Sequence, residues 1–252
     1  MKNVLFAKKS AVAYITLNQP DKMNGLSEEM VKDLLSAFDL AERDEKIRAI
    51  VLTGKSKVFC AGGDISVFDR DVPGGYKYIQ CTIEVFRRME KIFKPIIAAV
   101  NGFALGGGCE LAIASDIVIA SENAIFGLPE VTIGIMPGFA VLRLHQIVGR
   151  TKAKELILTG KRIDAREAEK IGLVNQVVPA EQLMDAVVEE TKILVSNAPF
   201  SLGLSKSIIN RECGGEEITT TANTGALFFG LRDLTEGKMS FFEKRKPKFE
   251  GR

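Results

Sequence analysis

The chain has 252 residues, 46% of them hydrophobic and 26% charged, with a formal net charge of +2; this suits one large α/β domain, or a core with a small appendage, and gives no reason to expect a nucleic-acid partner. Four widely spaced cysteines (Cys60, Cys81, Cys109 and Cys213) and a single histidine, His145, argue against a disulfide framework and exclude a multi-histidine metal site. The first residues lack the apolar core of a signal peptide and no stretch approaches a membrane span, so a cytoplasmic protein without a membrane partner is expected.

In chain order, the β-branched, apolar run 12–17, closed by Asn18-Gln19-Pro20, reads as a strand. Ser27 is placed to cap a helix running to about Arg43, with Met30, Val31, Leu34, Leu35, Phe38 and Ala41 at helical spacing. Residues 47–53, closed by Gly54, form a continuous apolar run suited to a strand buried on both faces. A Gly62-Gly63 turn follows. Residues 69–76 have the polar, Gly- and Pro-containing texture of a loop, and a helix is expected over about 78–92. Pro95 opens a second buried strand over 96–100. Gly106-Gly107-Gly108 then lead into a helix over 109–114, and short strands are expected at 117–120 and 124–126. This alternation indicates a parallel-type α/β core. Beyond Arg150 the texture turns helical, with periodic stretches at 152–158, 165–171, 181–196, 199–210 and about 219–243. No internal repeat is visible in the sequence.

Three segments carry candidate chemistry. Gly106-Gly107-Gly108 is costly in conformational entropy, and directly before a helix it presents outward N–H groups that suit a developing oxyanion; a tight turn with close helix–sheet packing is the other reading. Gly62-Gly63 is a second such turn, and one N–H from each could clamp a single carbonyl oxygen. Glu110 sits in the first turn of the helix that the three glycines start, where the helix dipole favours a carboxylate. Its neighbours Cys109 and Leu111-Ala112-Ile113-Ala114 are apolar, however, and a charge buried among them implies a raised pKa or a function. Glu130 lies in Phe126-Gly127-Leu128-Pro129-Glu130, again between apolar residues. His145 reads as a helix-face residue, packed or exposed. The basic tail Lys244-Arg245-Lys246-Pro247-Lys248 is either a solvated end or a contact for phosphate groups.

Taken together, Phe59-Cys60-Ala61-Gly62-Gly63-Asp64-Ile65, the stretch from Asn101-Gly102 through Glu110-Leu111 with Asp116, and Phe126-Gly127-Leu128-Pro129-Glu130 with Gly134 and Pro137-Gly138 resemble the crotonase superfamily, the enoyl-CoA hydratase/isomerase group, over almost the whole chain. The resemblance implies an α/β, crotonase-like spiral of ββα units. Residues 1–195 would form the core with an acyl-CoA site, and residues 196–252 a helical C-terminal region for oligomerisation, as a homotrimer or a dimer of trimers, that also covers the site. It implies an acyl-CoA thioester substrate and no separate cofactor, coenzyme A being part of the substrate, and no metal. By the same resemblance the N–H groups of Gly63 and Gly107 form an oxyanion hole and Glu110 and Glu130 are the acid/base pair. Ala61, Asp64 and Ile65 line the adenine and pantetheine path, with Lys22 near the nucleotide end. The presence of both glutamates favours hydration of a 2-enoyl-CoA. A cyclic or dienoyl-CoA hydratase, a double-bond isomerase and a non-catalytic acyl-CoA-binding subunit are the alternatives. Residues 139–144 depart from the family pattern by being bulkier, and are expected to border the acyl pocket and shape its preference. Ser66 replaces a common lysine, with the expected loss of one phosphate contact.

Overall fold

The computed structural model describes residues 1–210, 219, 223, 225, 226, 228–245 and 247, with the side chains of Ser66, Phe68 and Phe228 outside that set. The chain opens with a hairpin, β1 (Val4–Lys9) paired antiparallel with β2 (Val12–Leu17), and then α1 (Glu28–Arg43). Ser27 caps α1 as expected, its hydroxyl accepting from the Met30 N–H at 3.2 Å. Three strand–strand–helix turns follow. The first is β3 (Ala49–Gly54), β4 (Val58–Cys60) and α2 (Val72–Lys91); the second is β5 (Ile96–Val100), β6 (Phe103–Leu105) and α3 (Gly107–Ile113). The third is β7 (Ile117–Ser121), β8 (Ile125–Gly127) and α4 (Ala140–Val148). The chain closes through α5 (Arg150–Thr159), β9 (Arg162–Asp164), α6 (Ala165–Lys170), β10 (Gln176–Val178), α7 (Leu183–Ser196), α8 (Pro199–Ile209) and α9 (Arg232–Phe242).

Each turn of the coil places its first strand in one sheet and its second in another. The larger sheet runs β1-β2-β3-β5-β7-β10, parallel from β2 onward; the smaller runs β4-β6-β8-β9, with only β9 antiparallel. This is the ββα spiral expected from the resemblance. It repeats in space without repeating in sequence, because what recurs is burial rather than residue identity. All of β5 is buried, and Phe38, Phe59, Phe86, Phe126 and Phe139 are fully enclosed between the layers, each such side chain contributing about 1.5–3 kcal/mol.

The structure corrects the sequence reading in three places. Residues 72–76 are helical, not loop. Asp71 caps α2 by accepting from the Gly74 N–H at 2.9 Å, and Pro73 sits in the first turn, where a missing N–H costs nothing. Gly75 belongs in that helix because a side-chain carbon there would fall 1.9 Å from the Phe229 ring. The region beyond Arg150 is not wholly helical: β9 and β10 each extend one of the sheets. The N-terminal strand β1 was also not expected. Among the described residues, no helix is long and apolar enough to cross a membrane. Among the described residues, Lys206 of α8 and Arg143 of α4 are buried cations in partly buried ion pairs: Lys206 meets Asp116 at 2.7 Å, and Arg143 meets Glu90 of α2 at 2.5 Å.

Candidate active site

Two glycine turns meet where β4 and β6 end. Gly62 has φ +103° and Gly106 φ +53°, both in the region that glycine enters without steric cost. The Gly62 carbonyl accepts from the Leu26 N–H at 2.8 Å, and Gly63 pairs with Leu26 in an isolated parallel bridge. Gly107 is the first residue of α3, so its N–H has no acceptor within the helix. The two loops touch: a Cβ placed on Gly62 would lie 3.4 Å from the Gly107 nitrogen, and one placed on Gly107 3.7 Å from the Gly63 nitrogen. The two donors expected to converge are therefore neighbours. Gly108 locks the arrangement, since a Cβ there would sit 2.0 Å from the Cys60 carbonyl oxygen.

Both glutamates are buried, Glu110 at 4% exposure and Glu130 at 8%. Glu110 projects from α3, and Glu130 from a short 3-10 turn, Pro129–Ile133, just after β8. Their surroundings differ. One Glu110 oxygen, Oε1, accepts from the Phe139 N–H at 2.6 Å and the Ala140 N–H at 2.8 Å, at the start of α4. Burial raises the Glu110 pKa above the ordinary carboxylate value, and those two donors offset only part of the rise. Glu130 has no comparable support. Its Oε2 is buried without a hydrogen-bond partner among the described residues, and burial together with the nearby Glu110 charge raises its pKa well above the ordinary carboxylate value. One cavity thus holds two carboxyl groups that burial drives towards the protonated form, Glu110 with two N–H donors at a helix N-terminus to oppose the shift and Glu130 without them.

That cavity, of about 150 Å³, is lined by Gly63, Gly107, Glu110 and Glu130 at its polar end. Ile79, Ile83 and Phe86 of α2 form one apolar wall; Ile133, Ile135 and Met136 form the other, with Phe229 closing from the C-terminal region. Ala61 and Ile65 also line it, whereas Asp64 and Lys22 do not. Lys22 is exposed in a short turn, and the carbonyl of the next residue, Met23, accepts from the Ala61 N–H at 3.0 Å, which sets Lys22 beside the loop that carries Gly63.

The expectation for residues 139–144 is overturned. Phe139 is 1% exposed and stacks on Phe86 with ring centroids 5.0 Å apart. It packs behind the cavity instead of forming its wall, and its N–H serves Glu110. The wall from α2 and the donors at Phe139 and Ala140 were missed in the sequence. The helical spacing of Ile79, Ile83 and Phe86 was the available signal for the first. Nothing local signals the second, because any residue other than proline has an N–H to donate. His145 is exposed on α4. In the basic tail, Arg245 is paired with Glu236 and Glu243, while Lys246 and Lys248 lie outside the described residues, as does the side chain of Ser66.

Residues 7–252 match the family model described as enoyl-CoA hydratase/isomerase. A short-chain-enoyl-CoA hydratase of Clostridium acetobutylicum is 43% identical, the match covering 98% of this chain and 97% of that one. A crotonyl-CoA hydratase of Syntrophomonas wolfei is 37% identical over 98% of each chain. Among solved structures, an enoyl-CoA hydratase from Bacillus anthracis superposes with a TM-score of 0.81 at 33% identity, covering 99% of this chain and 100% of the other.

Proposed function

The chain belongs to the enoyl-CoA hydratase/isomerase family, and from that premise we propose that it adds water across the 2,3 double bond of a 2-enoyl-CoA thioester. The observation that carries this reading is the pairing of two glutamates with opposite surroundings in the cavity that also holds Gly63 and Gly107. The Glu110 carboxylate takes a proton from a water as its oxygen bonds to the β-carbon. The π electrons move through the α-carbon onto the thioester oxygen, giving an enolate that accepts from the Gly63 and Gly107 N–H groups. Glu130, as the carboxylic acid, then delivers its proton to the α-carbon as the enolate collapses. The product is a 3-hydroxyacyl-CoA, and proton exchange with water restores the pair. No cofactor enters, since coenzyme A arrives with the substrate.

The size of the whole cavity, about 150 Å³, and the short-chain and crotonyl substrates named for two relatives support a short, straight acyl group. With Phe139 packed behind the cavity, the case for a ring-bearing acyl group loses its support. The test is loss of the conjugated enoyl-thioester absorbance across a panel of 2-enoyl-CoA thioesters. Crotonyl-CoA is expected to be among the fastest and rates to fall with chain length; absence of turnover on every member would refute the reading.

Ala61 and Ile65 would border the pantetheine arm, with Asp64 and Lys22 further out towards the nucleotide. Lys22→Ala is expected to raise KM about 1.4- to fivefold at unchanged kcat, as for the loss of one exposed charge contact of about 0.2–1 kcal/mol. A fall in kcat instead would remove Lys22 from that role.

A homotrimer or dimer of trimers is part of the proposal. Ile193 of α7, Phe200 and Ile209 of α8 and Phe242 of α9 are 56–73% exposed, which supports the reading that these helices meet other copies of the chain. Light scattering is expected to give three or six times the 27.5 kDa chain mass; a monomer at micromolar concentration would contradict it. The cysteines Cys60, Cys81 and Cys109 are free, which fits the cytoplasm.

A further inference from the structure

Tyr78, on α2, is the one tyrosine among the described residues that lines the cavity, and the chemistry above does not use it. Its ring is 5% exposed, and its hydroxyl makes two directional contacts. It donates to the Leu26 carbonyl at 2.8 Å and accepts from the Asp64 N–H at 3.1 Å. These contacts straddle the isolated bridge between Leu26 and Gly63. The hydroxyl is also close to Gly63 itself: a Cβ placed there would stand 2.9 Å from the oxygen. Leu26 reaches the other turn as well, its Cδ1 lying 2.9 Å from a Cβ placed on Gly107.

Resting on the proposed hydratase reading, we infer that Tyr78 is a positioning residue whose hydroxyl fixes the Gly63 N–H, and through Leu26 the Gly107 turn, in the direction that the developing enolate oxygen requires. A two-residue glycine turn has many accessible conformations. Left to itself it would present the donor over a range of angles, and a donor's contribution depends on its being aimed before charge appears. The phenol supplies the constraint from α2, a helix that also lines the cavity. It remains protonated because burial pushes its pKa above the ordinary phenol value, so the bond to Leu26 persists across the working pH range. Its single proton is committed to the Leu26 carbonyl, so Tyr78 acts through the loop and not on the substrate. Gly63 follows from the same arrangement, since a methyl group would press on the hydroxyl.

The experiment is a four-member cycle of wild type, Tyr78→Phe, Gly63→Ala and the double variant. It reads kcat, KM and the infrared carbonyl stretch of a bound, unreactive acyl-CoA thioester, with melting temperature as the folding control. Tyr78→Phe is expected to lower kcat about ten- to hundredfold, the scale of a misplaced donor, with KM within about twofold. The bound carbonyl should shift less to low frequency than in wild type. Gly63→Ala alone should also be impaired. Added to Tyr78→Phe it should cost little more, because the new methyl then meets only ring carbon, at 3.9 Å. A lower melting temperature with unchanged kcat and carbonyl shift, or losses that simply add, would overturn the inference. If Tyr78→Phe does not fold, Gly63→Ala decides, and wild-type kcat and carbonyl shift in that variant would overturn it. A wild-type protein that hydrates no enoyl-CoA would refute the hydratase reading; an active wild type with an indifferent Tyr78→Phe would refute only this inference.

Discussion

Glu130→Gln is expected to lower kcat by about 10²–10⁴ while leaving binding of the CoA thioester nearly intact, because the amide keeps the shape of the acid but cannot deliver its proton to the α-carbon. Glu110→Gln should cost a similar factor, by removing the group that takes the proton from water. The two losses should not add, since the residues work on one water and one substrate in a single addition. Wild-type rates in both variants would remove the acid/base assignment. The pH dependence has a definite sign. Activity requires Glu110 ionised and Glu130 protonated, so the rate should fall on the acid side as Glu110 gains a proton and on the alkaline side as Glu130 loses its own, with both limits above the ordinary carboxylate value of 4.5.

Stability follows the same group. Glu130 has a folded pKa raised above its unfolded value, so its contribution is fully present below about the ordinary 4.5 and is lost as pH rises towards the raised folded value. The melting temperature of wild type should therefore decline relative to Glu130→Gln as pH rises through that window. A constant difference between the two would show that Glu130 does not keep its proton in the native state.

The second large effect concerns the paired donors. Gly107→Pro should fold, because proline is tolerated at the first position of a helix, and a Cβ there would press on the movable side-chain end of Leu26, at 2.9 Å, rather than on backbone. It removes the N–H, and kcat is expected to fall by about 10²–10³, equivalent to about 2.7–4 kcal/mol. Gly108→Ala, one residue on, should fail differently. Its new carbon would lie 2.0 Å from the Cys60 carbonyl oxygen and 2.7 Å from the carbonyl carbon, so backbone has to move and the melting temperature should drop before any catalytic comparison is possible. A well-folded Gly107→Pro with wild-type kcat would show that this N–H does not stabilise the transition state.

Features that rest on local chemistry were legible. The Ser27 cap, the doubly buried runs that became β3 and β5, and the glycine turns all carry their signals within a few residues. The paired glutamates could be read as anomalies, since a charge set among Cys109, Leu111 and Ile113 has no cheap explanation. Features that rest on distant pairing were hidden. The strands β4, β6, β9 and β10 have three residues each, too few for an alternating pattern, and exist because a neighbouring turn of the coil supplies their hydrogen bonds. The loop reading of residues 72–76 failed because Gly74, Gly75 and Pro73 are turn-formers by composition, whereas the Asp71 cap and the Phe229 ring decide otherwise. Position in the family pattern sets residues 139–144 beside the acyl pocket, and only the stacking of Phe139 on Phe86 reveals that its side chain faces inward.

The candidate groups come from three successive turns of the coil: Gly63 after β4, Gly107 with Glu110 after β6, and Glu130 after β8. Neighbouring strands stand about 4.8 Å apart, so the sheet works as a ruler that sets the separation between anion clamp, base and acid before any side chain is chosen. The acyl end is measured by a different part, the face of α2 carrying Ile79, Ile83 and Phe86. Chain-length preference can therefore be retuned by enlarging or trimming that one helix face while the reacting distances stay as the ruler set them, which makes α2 the place to begin in redirecting this scaffold to longer or branched thioesters.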